Sequence, residues 1–136
     1  MKIKLDAGAF VPVREHATDA GADLRSPVDA LIPASGSFVI DTGVHIQLPH
    51  GCVGMLKSKS GLYVEHGITS EGVIDEGYTG AIKAKLHNHS DEPYKIERGD
   101  KITQLVITPC EYVDFDVVDK LDDSERGGEG FGSTGK

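Results

Sequence analysis

The sequence predicts an all-β fold, a jelly-roll-like β-barrel or sandwich with at most one short helix. Glycine (17 residues) and proline (6 residues) are scattered evenly along the 136-residue chain, as expected when turns join many short strands. Several segments alternate apolar and polar residues, which is the pattern of a strand with one buried face. No window of about ten residues carries the apolar stripe of an amphipathic helix.

Five strands are predicted from the alternating or short apolar segments. They span residues 38–40, 44–48, 52–56, 81–87 and 102–107. In the second and fourth of these, the apolar residues that face the core are Val44, Ile46, Leu48, Ile82, Ala84 and Leu86. A late strand is predicted around Val113, Phe115 and Val117, and a single helical turn around residues 58–64.

The chain is predicted to form one domain, residues 1–121, followed by a flexible C-terminal arm, residues 122–136. No apolar run approaches the roughly 20 residues of a membrane helix. Two cysteines provide no disulfide framework, so we expect a cytoplasmic location, or the host cytoplasm if the source is viral.

The formal net charge of −8 argues against a nucleic-acid binder, which would need a basic stripe to displace counterions. A small polyphosphate is still compatible with this charge, because local cations, backbone N–H groups and a divalent metal can hold it. An acidic protein that handles a triphosphate therefore implies Mg²⁺.

The arm ends in a glycine-rich segment with one aromatic ring, Phe131. Possible phosphate donors lie on either side of this ring, namely the side chains of Arg126, Ser133, Thr134 and Lys136, and the glycines let backbone N–H groups approach phosphate oxygens closely. One ring that stacks on a base, with donors beside it, describes a nucleotide lid. The alternative is an unstructured terminus, as in most glycine-rich tails.

Residues 72–80 predict a tight β-hairpin with turns at its glycines. Asp75 follows the apolar residues Val73 and Ile74, so partial desolvation would suit it to act as a general base. Its alternative role is that of a simple turn former.

Three further segments contain candidate polar residues. Asp23 follows Ala-Gly-Ala, Lys59 precedes Ser60 and Gly61, and Gln104 interrupts an apolar strand. Each has a structural alternative: a turn cap for Asp23, a solvated surface cation for Lys59, and an amide bound to backbone for Gln104. His87 and His89 are interpreted as a surface pair on a strand, because no third metal ligand is evident nearby.

Together, five segments in this order resemble the five motifs of the trimeric, magnesium-dependent dUTPases. They are Ala-Gly-Ala-Asp-Leu (20–24), Lys-Ser-Gly-Leu (59–62), Gly-Val-Ile-Asp-Glu-Gly-Tyr-Thr-Gly (72–80), Gly-Asp-Lys-Ile-Thr-Gln-Leu (99–105) and the tail from Arg126 to Gly135. Two positions depart from the family pattern, since Lys59 stands where arginine is usual and Glu129 where glycine is usual. Lysine keeps the charge but loses the bidentate fork.

The resemblance implies that the chain hydrolyses dUTP to dUMP and pyrophosphate in a homotrimer with shared active sites. It implies that Asp75 activates the attacking water with help from Gln104, and that Asp23 binds Mg²⁺ through water. The other implied substrate contacts are Lys59, Ser60, Gly61, the backbone of Gly72, Val73 and Ile74, Tyr78, Arg126, Phe131, Gly132, Ser133 and Thr134. The alternatives are a dCTP deaminase-like enzyme of the same fold, and a nucleotide-gated regulatory module that binds a partner protein.

Overall fold

The computed structural model describes residues 1–128, which form eleven strands and one short helix. In chain order the elements are β1 (Lys2–Leu5), β2 (Gly21–Arg25), β3 (Ala30–Ile32), β4 (Ser37–Asp41), β5 (Val44–Gln47), β6 (Cys52–Lys57), α1 (Ser60–His66), β7 (Ile68–Ser70), β8 (Gly72–Ile74), β9 (Lys83–Asn88), β10 (Tyr94–Ile96) and β11 (Lys101–Pro109).

The strands form four antiparallel sheets. The largest has the order β2-β11-β6-β8, and a second has the order β4-β9-β7. Two further pairs, β1-β5 and β10-β3, complete the body. Because β11 lies between β2 and β6, it brings segments that are far apart in the chain onto neighbouring strands.

Two clusters of buried aliphatic side chains form the core. One joins the four-stranded sheet to β5 through Leu24, Val44, Ile46, Leu48, Leu56, Ile74, Ile82 and Leu105. The other joins the three-stranded sheet to β3 and β10 through Ile32, Ile40, Ile68, Ala84, Leu86, Ile96 and Ile102. Both clusters are β-branched and leucine-rich, which suits half-buried pleated surfaces.

The all-β prediction is confirmed. The five predicted strands correspond to β4, β5, β6, β9 and β11, and every side chain expected to face the core is buried. The predicted helical turn is α1, which begins at Ser60 and ends at His66. In residues 1–128 no helix is long and apolar enough to cross a membrane.

The late strand was wrong. Residues 111–118 have no regular secondary structure, and the side chains of Val113, Phe115 and Val117 are 61%, 90% and 101% exposed. Apolar alternation needs a neighbouring strand to form a ladder, and none of the strands described above pairs with this segment.

The hairpin was also wrong. β8 pairs with β6, and the next strand, β9, lies in the other sheet between β4 and β7. A turn follows β8, in which the Tyr78 N–H donates to the Asp75 carbonyl at 3.1 Å. Ile74 and Ile82 are both buried in the first core cluster, so the residues between them form a loop rather than a second paired strand.

Candidate functional site

One groove of about 390 Å³, which we call the charged groove, is lined by four of the predicted site residues, Asp23, Lys59, Ser60 and Gln104. Asp23 lies on β2, Lys59 before α1 and Gln104 on β11, with Glu15 and Lys101 beside them. The meeting of Asp23 and Gln104 follows from the strand register, because Gln104 lies directly opposite Asp23. Residues opposite each other on antiparallel strands project from the same face of the sheet.

Asp23 is the electrostatic centre of the charged groove. Its side chain is 8% exposed, and its two carboxylate oxygens form ion pairs with Lys59 and with Lys101, the latter at 3.0 Å. Desolvation acts to raise the pKa of Asp23, but the hydrogen bonds and charges of both lysines outweigh it, so the pKa lies below its usual value. Asp23 is therefore an ionised strand residue and not a turn cap.

The pairing also excludes the interpretation of Lys59 as a solvated surface cation, since its side chain is 26% exposed and bound to Asp23. Lys57 does resemble such a cation, with a 3.5 Å contact to Glu71 on the surface. Ser60 and Gly61 lie in the first turn of α1 and are exposed.

Gln104 is held in place by two neighbours. Its amide nitrogen donates to the Ser58 carbonyl at 3.0 Å, which satisfies the half-buried side chain through backbone. Gly21 lies against the other side, where a Cβ atom would collide with the Gln104 side chain. The glycine of the first motif thus makes room for the glutamine of the fourth.

Asp75 lies elsewhere, at the start of the turn that follows β8. We call residues 75–80 the Asp75 turn. Gly77 has a φ of 87°, which favours glycine. Gly80 has no room for a side chain because the Tyr78 phenol lies against it, and that phenol donates to the Ala81 carbonyl at 3.1 Å.

The partial desolvation expected for Asp75 is not present in the single chain. Its carboxylate is exposed, and within residues 1–128 it forms no hydrogen bond or ion pair. Val73 is 62% exposed and only Ile74 is buried, so the preceding strand shields one side at most. Any desolvation of Asp75 must come from a ligand, from the arm or from another chain.

The Asp75 turn opens on a second groove of about 360 Å³. Its lining includes His50, Cys52, Glu76, Cys110 and Tyr112, and it shares no residue with the lining of the charged groove. The two cysteines are free and half-buried rather than fully buried as small apolar groups would be. One chain therefore presents the candidate site residues in two separate places.

Arg126 is exposed, in a turn that the Gly127 N–H closes by donating to the Ser124 carbonyl at 3.1 Å. The predicted lid residues Phe131, Gly132, Ser133 and Thr134 lie outside the described residues. The lid therefore stays a prediction from sequence.

No group of three or more His, Cys, Asp or Glu side chains within residues 1–128 is arranged to hold a metal ion. His87 on β9 and His89 just after it are both exposed, with ring centroids 6.3 Å apart, and His89 is bonded to the Thr69 hydroxyl at 2.8 Å. Asp23 alone fits a hard cation in part: it is an ionised carboxylate whose charge two lysines now balance. Such a donor suits Mg²⁺ that arrives on a triphosphate and keeps its own waters.

Sequence reasoning missed Lys101, which bridges Asp23 and Glu15 at 3.0 Å to each. Its place three residues before Gln104 could have indicated it, since that position lies at the start of the same strand. No sequence signal identified Glu15, because its neighbourhood depends on the packing of residues 11–19 over β2. Glu76 was also missed, although it immediately follows Asp75.

Comparisons with known proteins cover nearly the whole chain. A family model described as dUTPase matches residues 8–135. The chain is 44% identical over 138 residues to the deoxyuridine 5'-triphosphate nucleotidohydrolase of Corynebacterium glutamicum, covering 98% of this chain and 93% of that protein. It is 41% identical over 138 residues to the enzyme of the same name from Saccharomyces cerevisiae, covering 99% and 94%.

Solved structures agree with this result. The dUTPase of Staphylococcus bacteriophage 80alpha with dUpNHpp matches with a TM-score of 0.92 at 32% identity, over 99% of this chain and 98% of that chain. A mutant dUTPase from phage phi11 of S. aureus, described as coordinating a structural Mg(II) ion, matches with a TM-score of 0.81 at 28% identity, over 88% and 96%.

Proposed function

The chain belongs to the dUTPase family, and from this premise we propose that it hydrolyses dUTP to dUMP and pyrophosphate by attack of a water that Asp75 activates. One observation supports this proposal above the others: Asp23, Lys59 and Gln104, from three distant motifs, converge in the charged groove. If the motifs matched in sequence only, without a shared role, their residues would have no reason to meet in one groove.

The charged groove is proposed to bind the triphosphate. Lys59 and Lys101 already lie beside one carboxylate, and they can turn part of their donor capacity toward phosphate oxygens. Mg²⁺ bound to the phosphates would offset their charge, with Asp23 accepting hydrogen bonds from its waters. Ser60 and Gly61, at the start of α1, would contact oxygens near the α-phosphate.

The Asp75 turn is proposed to hold the nucleoside and the reacting water. Asp75 takes a proton from water, the water oxygen bonds to the α-phosphorus, and the bond from that phosphorus to the bridging oxygen breaks to release pyrophosphate. Gln104 would orient this water and the α-phosphate. The amide nitrogen that now donates to the Ser58 carbonyl is the group available for that role.

Specificity for dUTP is proposed to come from close packing. Tyr78 lies against Gly80 and is 47% exposed, so its ring would be accessible to pack on a deoxyribose, where a 2′-hydroxyl would not fit. Backbone groups of Gly72, Val73 and Ile74 would pair with uracil. A methyl group at C5 would collide with them, and cytosine would place donor against donor.

A homotrimer with shared active sites is proposed because the charged groove and the Asp75 turn lie apart in one chain. In this arrangement one chain supplies the Asp75 turn and a second supplies the charged groove. A third supplies its arm, so that Phe131 stacks on uracil while Arg126, Gly132, Ser133 and Thr134 bind phosphates. Closure of this lid would desolvate Asp75, which is exposed in the single chain. We expect the assembly to work in the cytoplasm.

A pyrophosphate-release assay tests the function. The chain is incubated with dUTP, UTP, dTTP or dCTP, with Mg²⁺ and with EDTA. We expect release from dUTP with Mg²⁺ and at least about 100-fold less from each of the others, as expected when a site excludes a group sterically or leaves buried polar groups unpaired. Equal release from all four nucleotides would contradict the proposal, and ammonia release from dCTP would identify the deaminase alternative.

The regulatory alternative also has an observation in its favour. Structures of the 80alpha dUTPase, which match at TM-scores up to 0.92, are described in terms of phage dUTPases that control transfer of virulence genes. Slow turnover beside tight, dUTP-dependent binding of a partner protein would support such a role here. Fast turnover without a nucleotide-dependent partner would exclude it.

A further inference from the structure

We propose that Glu76 is a positioning residue, whose carboxylate holds the Asp75 turn in the orientation that the reaction needs. This inference rests on the proposed function, because it concerns how Asp75 is placed for attack on dUTP. Glu76 itself would contact neither the substrate nor the attacking water. Its action would pass through the backbone of its neighbour in the chain.

Glu76 ties the turn to two other parts of the molecule. One carboxylate oxygen bonds to His50 Nδ1 at 2.8 Å. The other accepts from the Gly51 N–H at 2.8 Å and from the Tyr112 hydroxyl at 2.6 Å. Residues 50–51 join β5 to β6, and Tyr112 follows β11, so these bonds fix the turn to the ends of strands in the largest sheet.

Asp75 depends on such support because its own side chain has none. Within the described part of the chain its carboxylate has no hydrogen-bonding or charged partner, so only the backbone sets its direction. The carbonyl of Asp75 accepts from the Tyr78 N–H, which shapes the turn but does not fix it to the sheet. Glu76, one residue further, makes that connection.

The bonds of Glu76 persist over the pH range in which an enzyme is assayed. Tyr112, His50 and the Gly51 N–H lower the pKa of Glu76 to about 2, so the carboxylate stays ionised. The same contact raises the pKa of Tyr112 to about 12, so the phenol keeps the proton that it donates. The bond from Tyr112 to Glu76 therefore keeps both its donor and its acceptor over this range.

The far end of the turn has a different support. His45 Nδ1 bonds to the Thr79 carbonyl at 2.8 Å, and its Nε2 bonds to Asp6 at 3.0 Å. Because Thr79 is held independently, loss of the Glu76 carboxylate should loosen the start of the turn around Asp75 while the end stays attached. We therefore expect a change in turnover larger than any change in substrate binding.

The test compares Glu76→Gln and Glu76→Ala with a matched control, Glu71→Gln. Glu71 is a glutamate just before β8 whose side chain, within residues 1–128, makes one long polar contact, 3.5 Å to Lys57. We expect kcat on dUTP to fall about 10- to 100-fold in Glu76→Ala, as for a catalytic group displaced by about 1 Å. Glu76→Gln can still accept from Tyr112 and Gly51, so its kcat should lie between those of Glu76→Ala and the wild type.

KM is expected to change less than about threefold, the pattern of an interaction used in the transition state. Activity is measured well below the midpoint of thermal unfolding and scaled to the folded fraction, which separates positioning from stability. Full kcat in folded Glu76→Ala would overturn the inference, and so would a loss confined to KM.

Ultraviolet titration of the tyrosines provides a readout that does not depend on activity. In Glu76→Gln the pKa of Tyr112 should fall back toward 10, and Tyr112→Phe identifies which tyrosine titrates late. An unchanged titration curve would contradict the contact itself. If wild type and Glu71→Gln both fail to hydrolyse dUTP, the proposed function fails; if both are active and Glu76→Ala equals them, only the inference fails.

Discussion

The charged groove and the Asp75 turn hold their carboxylates in opposite environments, one buried and ion-paired and the other exposed and unpaired in the described residues. Asp23 is buried on β2, in the largest sheet, and is ion-paired to two lysines. Asp75 is exposed on a turn and has no side-chain partner in the described residues. The charge of Asp23 is compensated by two lysines before any ligand binds, whereas the carboxylate of Asp75 remains available to a ligand or to water.

This difference suits two kinds of work. A group that binds a charged substrate benefits from fixed, compensated charges on rigid strands. A base that must accept a proton benefits from an unpaired carboxylate, since an ion pair would lower its affinity for the proton. Within the described residues, one carboxylate is thus already charge-compensated, as suits the proposed phosphate site, and the other is exposed, as suits the proposed base.

The largest effect is expected from Asp75→Asn. An amide of the same shape cannot accept the proton from water, so we expect kcat to fall by about 10³-fold or more, the range of general-base catalysis. Binding of a non-hydrolysable dUTP analogue should be nearly unchanged in calorimetry. A variant with unchanged kcat would remove Asp75 from its role.

Removal of residues 126–136 should have the next largest effect. The body and its assembly should persist, because both core clusters lie within residues 24–105. Hydrolysis should fall by about 100-fold or more, since the donors and the ring that are proposed to close over Asp75 are lost. Sedimentation analysis verifies the assembly, and an active truncated chain would contradict the lid.

Gly21→Ala tests the charged groove through packing alone. Its new methyl group would meet the Gln104 side chain, which Ser58 holds from the other side. We expect about 1–3 kcal/mol of destabilisation from overpacking and a roughly tenfold lower kcat. Gly36→Ala is the control, because a Cβ there would overpack against Pro33, which lines neither groove, so it should lower stability without lowering kcat. Equal behaviour of the two variants would show that Gly21 has no role in placing Gln104.

The smallest effect concerns acid stability. The folded state lowers the pKa of Glu76 from 4.5 to about 2, so this group stabilises the fold above pH 4.5 and loses that contribution as the pH falls toward 2. Glu76→Gln should therefore lower the free energy of unfolding at pH 5 more than at pH 2.5. Urea unfolding at both values measures this, and an equal difference at both would refute the ionic contribution.

The sequence was sufficient for the parts that depend on local pattern. Alternation located the strands that bury Val44, Ile46, Ala84 and Leu86, and the absence of a long helical stripe left only α1. It failed where pairing partners decide the structure. Residues 113–117 alternate like a strand but have no neighbour to pair with, and β8 has the turn of a hairpin but pairs with β6.

For the site, the motifs indicated Asp23, Lys59 and Gln104, and the strand register explains why Asp23 and Gln104 meet. Lys101, Glu15 and Glu76 were not indicated, because their partners lie far away in the chain: Lys101 bonds to Asp23, and Glu76 to Tyr112. Long-range ion pairs and hydrogen bonds of this kind follow from tertiary packing and leave no periodic pattern in the sequence. The placement of Asp75 apart from the charged groove could not be predicted from spacing at all.

Subunit complementation tests most directly whether the charged groove and the Asp75 turn of one active site come from different chains. Asp75→Asn is mixed in equal amounts with a variant carrying Asp23→Asn and Gln104→Ala, and the chains are unfolded and refolded together. Random trimers should contain intact sites in about a quarter of positions, each made from the Asp75 turn of one chain and the charged groove of another. Pyrophosphate release near that fraction of wild type is the predicted result. Mixed trimers, verified by mass spectrometry, that are no more active than the two parents would contradict it.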